Sequence, residues 1–470
     1  MQGVAGSLFR GRILAAALIV LGREGKVAVH DAVKLALREA VERVLADFRQ
    51  RNVTLALESH LVWRRTPGGW QGEYVMRPTD SRDVDRAVGW EGYATALDHA
   101  LQTHRCYAFR GLGTTTSGWM HCSPSHLLRC LAFETIRRTG STGSNPDVID
   151  QLIREVSDFV DSTVIVIPFL VPLLNFTMDW TDPIVFDEGI VLRPLTDDEM
   201  TQLHGGVLTG IPRTGAFPLH GFAFSGEVRE AKEPGTTRSE PQPAVRDSLE
   251  TRLKRLVLGL RTFKAGPVGY DAIHFIGKGI QSWLSGRSSL GYGNEYVPSG
   301  IYKISDAEVE PLQKHMRLVA AALHASLEAA CGRLAAAQAR TEPRDKLIDA
   351  VVGLEAILLA NKGDERYRGE MRFRFAMNYA VLHELPEGRY GQFNIARNFY
   401  DLRSRLVHGE QVNEHEIGDQ TMSLRDAADK ACETLRITVG RFLPGARRPE
   451  YLGSNYWPKR YFPRGDGSNL

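Results

Sequence analysis

The sequence predicts an α+β protein: mixed α/β and β-rich N-terminal modules followed by a C-terminal antiparallel helical bundle. Two observations predict this. Residues 163–228 hold several short runs dense in Val, Ile, Leu and Phe, separated by Gly, Pro and Asp, which is the punctuation of strands. From Asp306 onward the apolar residues recur at helical spacing in long segments joined by short polar breaks. The 470 residues are 43% hydrophobic and 24% charged, a globular composition with room for several cores. A net charge of +2 excludes a bulk polycation, so any nucleic acid would be held at a local site. The five cysteines are odd in number and scattered, which reads as reduced thiols in a cytoplasmic protein.

Taken in order, residues 13–21 form a short apolar run after Arg10 and Arg12 that imitates a secretory signal. The run is too short to span a bilayer and no small-residue cleavage site follows, so it reads as a buried helix or strand. Residues 31–49 are an amphipathic helix opened by Asp31, residues 54–63 a strand, Pro67-Gly68-Gly69 a turn, and 84–104 a further helix. Residues 1–145 thus make a mixed α/β module of no assigned role. A second, β-rich module spans 146–305. It opens with a helix over 147–160 and carries strands over 163–174, 183–193 and 217–228. Thr196 and Glu199 form a capping box, and 229–244 is a polar loop containing prolines. The bundle, 306–443, is read as helices over 306–339, 345–360, 370–385, 392–408 and 417–443. The tail, 444–470, sets basic residues among aromatic ones. It resembles a flexible basic-aromatic strand, packed on the body or disordered, with an RNA-stacking arm as the alternative.

The chemistry concentrates in residues 398–409, N-F-Y-D-L-R-S-R-L-V-H-G. Arg403 and His408 lie five apart in the last turns of a helix that Gly409 should stop. On an ideal helix they point about 140° apart and sit about 7.5 Å apart along the axis. They converge only if the chain turns at His408 or a second copy completes the site. Tyr400, Ser404 and His408, at i, i+4 and i+8, form a polar stripe that invites a two-fold interface. The residue types fit metal-free RNA cleavage. His408 would act as general base on a ribose 2′-OH, and Arg403 would hold the phosphate and stabilise the charge that builds on it. The negative end of the helix dipole favours an imidazolium, so an acid or clamp role for His408 stays open. The competing reading makes Arg403 a surface charge and His408 a capping residue.

The segment L-R-S-R-L-V-H-G resembles the signature helix of the Apea-like branch of the HEPN superfamily, whose ribonuclease members carry R-x(4–6)-H. Upstream, residues 345–359 resemble that family's first core helix, with Glu355 as its acidic residue. Residues 371–382, with Arg372 and Arg374, resemble the next helix, and 190–199 resembles part of the N-terminal module that such proteins often carry. The resemblance covers about 150–443. It implies a HEPN-like bundle and a metal-independent endoribonuclease with no cofactor, in which Arg403 and His408 are catalytic. Ser404 stands after the Arg, where nuclease members often have a polar residue. Glu355, a charge inside an apolar helix, needs a partner, and Arg374 is the expected one. The implied biology is a toxin or antiphage effector that leaves 2′,3′-cyclic phosphate ends. It would act as a homodimer in the cytoplasm, without membrane, under a phage or cellular trigger bound by the N-terminal part. The rival class is a non-catalytic HEPN module that binds RNA, nucleotide or a protein partner, or a ligand sensor.

Other signals carry less. His104, Cys106, His121, Cys122, His126 and Cys130 are irregularly spaced for zinc. Gly111-Leu112-Gly113 with Gly118 lacks the Lys and framing elements of a phosphate loop and reads as a turn. Glu58-Ser59-His60 has no third partner that would make it a triad.

Overall fold

The computed structural model describes residues 23–50, 57–66, 69–78, 110–112, 119–121, 124–187, 189–204, 221–231, 236–238, 241–270, 272–277, 287–291, 300–320, 323–360, 370–383, 388–445 and 456–461. The expected helix at 84–104 and the apolar run at 13–21 lie outside these residues. The N-terminal part contains helix α1 (Arg23–Gln50), a hairpin of β1 (Leu57–Thr66) and β2 (Gly69–Pro78), short strands β3 (Arg110–Leu112) and β4 (Trp119–His121), and helices α2 (Pro124–Thr139) and α3 (Pro146–Asp161). Residues 110–112 are therefore strand where a turn was expected. Asn145 caps α3 by accepting from the Val148 amide, and Pro146 occupies the first turn, where it lacks no needed donor.

Next come β5 (Val164–Leu174), β6 (Phe176–Met178), β7 (Ile184–Asp187), β8 (Ile190–Pro194), α4 (Asp197–His204), β9 (Phe222–Ala231), β10 (Thr236–Arg238) and α5 (Pro243–Phe263). The strands β11 (Gly269–Tyr270), β12 (Ala272–Ile276), β13 (Arg287–Gly291) and β14 (Tyr302–Ile304) complete the module. Its sheet is antiparallel, in the order β13-β12-β5-β9-β8-β7, with β11 also on β5. The run 163–174 is one strand, whereas 183–193 is a hairpin. The capping box is present: the Thr196 amide donates to Glu199, and the Glu199 amide donates to Oγ1 of Thr196. The stretch 229–244 is only partly loop, since β9 runs into it and α5 starts within it. Sequence reasoning missed α5 altogether. Its Leu249, Leu253, Leu256 and Leu260 form the greasy face that covers the sheet.

The C-terminal part consists of α6 (Val309–Ala320), α7 (Ala325–Ala339), α8 (Pro343–Leu358), α9 (Met371–His383) and α10 (Arg389–Val407). A hairpin of β15 (Glu414–Ile417) and β16 (Gln420–Ser423) follows, then α11 (Leu424–Phe442) and α12 (Tyr456–Tyr461). Where one helix was expected over 306–339 there are two, because they serve different cores. Val309, Leu312 and Met316 of α6 are buried with the sheet, while Leu327, Leu334 and Ala337 of α7 are buried in the bundle. Val319, in the last turn of α6, is buried with the bundle core as well. The helix expected from 417 starts at 424. Gly418, at φ +65°, opens a two-residue turn that pairs Ile417 with Gln420 first.

Core membership divides the chain at other points than the sequence boundaries of 145, 305 and 443. Helix α3 belongs with α1 and α2, α6 with the sheet, and α12 with the bundle through Trp457. The described tail aromatics, Tyr456, Trp457 and Tyr461, are thus packing groups. Tyr456 packs on Phe442, and the Tyr461 hydroxyl bonds buried Asn378. Together these elements make an α+β protein with several sheets in the N-terminal part and mostly helices in the C-terminal part. Among the described residues no helix is long and apolar enough to cross a membrane.

Candidate functional site

The site is built at the C-terminal end of α10. Ala396, Phe399, Leu402 and Leu406 are spaced three to four apart and bury one stripe of this helix in the bundle core. The helix then stops in a Schellman motif. The Gly409 amide donates to the Leu406 carbonyl and the Glu410 amide to that of Arg405, with Gly409 at φ +88°. His408 is the last half-helical residue, its amide bonded to the Ser404 carbonyl and its side chain exposed. From the start of α8, Arg344 donates to the Leu406 carbonyl at 2.6 Å, putting a cation on the negative end of the helix.

Arg403 faces the other way, against α8. Its Nη2 lies 3.5 Å from Oε2 of Glu355, and both side chains are mostly buried. This partner differs from the expected one: the charge acting on the Glu355 carboxylate is Arg403, while Arg374 acts on the Tyr461 hydroxyl. The pair is loose. Oε1 of Glu355 and Nε of Arg403 are buried without a hydrogen-bond partner among the described residues. Burial pushes the Glu355 carboxyl above the ordinary carboxylate value, and the guanidinium only partly offsets it. Arg403 thus keeps an unspent donor, whereas Glu355, which only accepts while ionised, can aim the guanidinium but cannot itself hold an anion.

Tyr400 sits half-buried beside them, its ring 5.6 Å from that of Phe375. Burial first, and Glu355 second, push its hydroxyl pKa up. Ser404 is half-buried as well, so Tyr400, Ser404 and His408 run from interior to surface and do not form one open stripe. The structure brings Glu355, Arg403 and Tyr400 together. It leaves His408 at the exposed helix end.

A second charged group was missed by sequence reasoning. Arg405 donates to Glu410 at 2.6 Å and to Nδ1 of His415 at 3.2 Å, and Arg372 pairs with Asp401. An arginine can only donate, so His415 carries its proton on Nε2. Burial, then Arg405, lower the pKa of His415. The one sequence signal for this placement was the Gly418-Asp419 turn, which folds the β15–β16 hairpin back onto α10.

Among the described residues no group of three or more His, Cys, Asp or Glu side chains is placed to hold a metal ion. No protein-family model, curated protein or solved structure matches this chain.

Proposed function

We propose that this protein is a metal-independent endoribonuclease of HEPN type, with Arg403 and His408 as its catalytic pair. The observation that carries this reading is the end of α10. An incompletely satisfied guanidinium is held by Glu355, and one and a half turns later an exposed imidazole is presented by a rigid glycine-stopped cap. In the reaction the 2′-oxygen attacks phosphorus, an O2′–P bond forms and the P–O5′ bond breaks. The proton leaving O2′ passes to O5′ through His408, leaving a 2′,3′-cyclic phosphate and a 5′-hydroxyl. Arg403 neutralises the charge that gathers on the non-bridging oxygens, and Glu355 is the positioning residue that aims it. Within one chain Arg403 and His408 leave α10 in different directions. A homodimer, in which a second copy adds its own helix end, completes the site. The role of a toxin or antiphage effector, released by a trigger on the N-terminal modules, is part of the same reading.

Arg403→Ala and His408→Ala should each lower RNA cleavage about a hundredfold or more, the scale of a lost general base. Chelation by EDTA should leave the rate unchanged. Cleavage that survives both substitutions, or that EDTA abolishes, overturns the reading. The rival, a non-catalytic module binding RNA, nucleotide or a protein partner, draws on the turning of Arg403 toward Glu355. It requires wild-type protein to leave RNA intact.

A further inference from the structure

The helix that ends at His408 carries, on its exposed side, a second feature that the catalytic reading does not use. Tyr390, Asn394, Arg397, Asp401, Arg405 and His408 follow one another at intervals of three or four residues, so they share one face of α10. The face runs about 27 Å from Tyr390 to His408 at 1.5 Å per residue. Its far end is open, with Tyr390 77% exposed; on neighbouring α9, whose first turn is drawn toward Asp401 by the Arg372–Asp401 pair, Phe373 is 54% and Met371 50% exposed. Phe373 is braced edge-on by Phe393 of α10, at 5.7 Å between ring centres.

The charges along this face are already sorted. Asp401 is neutralised by Arg372, and Glu410 by Arg405. Arg397, on the face and exposed, and Arg389, next to Tyr390, pair with no carboxylate among the described residues. What is left uncommitted is therefore cationic and aromatic. An exposed aromatic ring at one end and guanidiniums along the way to the reacting imidazole match a chain with flat bases on an anionic backbone. A duplex has its bases stacked away and offers no face to Tyr390 or Phe373.

We propose that this face of α10, from Tyr390 past Arg397 to His408, is a binding track for single-stranded RNA. A base stacks on Tyr390, Arg397 takes a backbone phosphate, and the strand leads to His408. The inference rests on the ribonuclease reading for the destination of the strand, but its binding surface is tested without chemistry.

The experiment uses the full chain carrying His408→Ala and follows fluorescence anisotropy of a labelled unstructured oligouridylate and of an RNA duplex. The single strand should bind more tightly than the duplex. Tyr390→Ala should weaken single-strand binding about 5- to 150-fold, the scale of one lost base stack. Arg397→Glu should weaken it at least about tenfold and flatten its salt dependence, since each lost phosphate contact removes about 0.7 from the logarithmic slope. Both side chains are exposed, so thermal melting should show the parent fold. Equal binding of duplex and single strand, or parent-like affinity in both variants, overturns the track. So does a loss of dimer mass on Tyr390→Ala, which would assign the face to a second copy. Failure of the two ideas can be told apart. Track-dependent binding with no cleavage by wild type sinks the ribonuclease reading alone. Cleavage that needs Arg403 and His408 but ignores Tyr390 and Arg397 sinks the track alone.

Discussion

Two half-buried histidines, one in the bundle and one on α6, have their pKa lowered by burial. His383 bonds the Thr438 hydroxyl at 2.8 Å and stacks on Tyr379, with the Arg441 charge nearby. His315 bonds the Thr262 hydroxyl at 2.8 Å and packs edge-on against Phe263, with the Arg436 charge nearby. Burial, the larger cause in each, lowers the pKa from 6.5 to about 4. The unfolded chain therefore binds more protons than the folded one between these values, and stability must fall as pH drops through that window. Each imidazole should cost up to about 3 kcal/mol once fully protonated. Melting temperature against pH should show this slope, and His383→Gln should flatten it. A slope unchanged in that variant would place the acid sensitivity elsewhere. At the same scale Glu355 shows what sequence could not settle. Its need for a cation was legible from its apolar neighbours, but choosing Arg403 over Arg374 takes knowledge of how α8, α9 and α10 cross.

At the scale of elements, Gly409 is the hinge between α10 and the hairpin. Its φ of +88° is one that L side chains rarely adopt, yet a Cβ there meets nothing within 4 Å. The cost of Gly409→Ala is thus conformational only, about 1–2 kcal/mol. Urea denaturation should register that loss. RNA cleavage should fall as well, because the cap that presents His408 loosens. Full activity in a variant destabilised by this amount would mean the cap does not position His408. The stop at Gly409 was readable in the sequence because a Schellman cap is a local device. The hairpin was not, because its residues 417–423 continue a polar and apolar rhythm close enough to helical to be joined to α11.

For the whole molecule, the modules are tied by side chains of the bundle that donate to backbone carbonyls at the end of α5. Arg436 of α11 donates to the Phe263 carbonyl at 3.0 Å, and Gln338 of α7 donates to that of Arg261 at 3.1 Å. A fragment of residues 306–443 would keep α6, whose Leu312 and Met316 belong to the sheet core, and would lose Trp457, which is buried in the bundle. Exposing the first pair and emptying the second site each costs several kcal/mol by the measure of buried apolar side chains, roughly 2–5 per large residue. That fragment should therefore be aggregation-prone, and residues 323–470 should be the better-behaved bundle. Size-exclusion chromatography and circular dichroism of the two fragments would decide it. A monodisperse, helical 306–443 fragment would show that the cores are independent. Control by the N-terminal modules is best tested on the second fragment, where higher toxicity than the full chain would support an inhibitory role.

The sequence by itself determined what short range physics determines. Legible in it were the helical periodicity of the bundle, the helix over 147–160, the Thr196 start, the Gly409 stop, the strand runs at 163–174 and 183–193, and the Arg403–His408 spacing. Each depends on residues within a turn or two of one another. The tertiary structure alone decided which core each helix serves, why α6 and α7 are separate, and where α5 and the tail helix pack. It alone turned Arg403 toward Glu355 and brought His415 to Arg405. Those outcomes rest on contacts between residues far apart in the chain, where burial of a face is shared between elements and no local pattern records the partner.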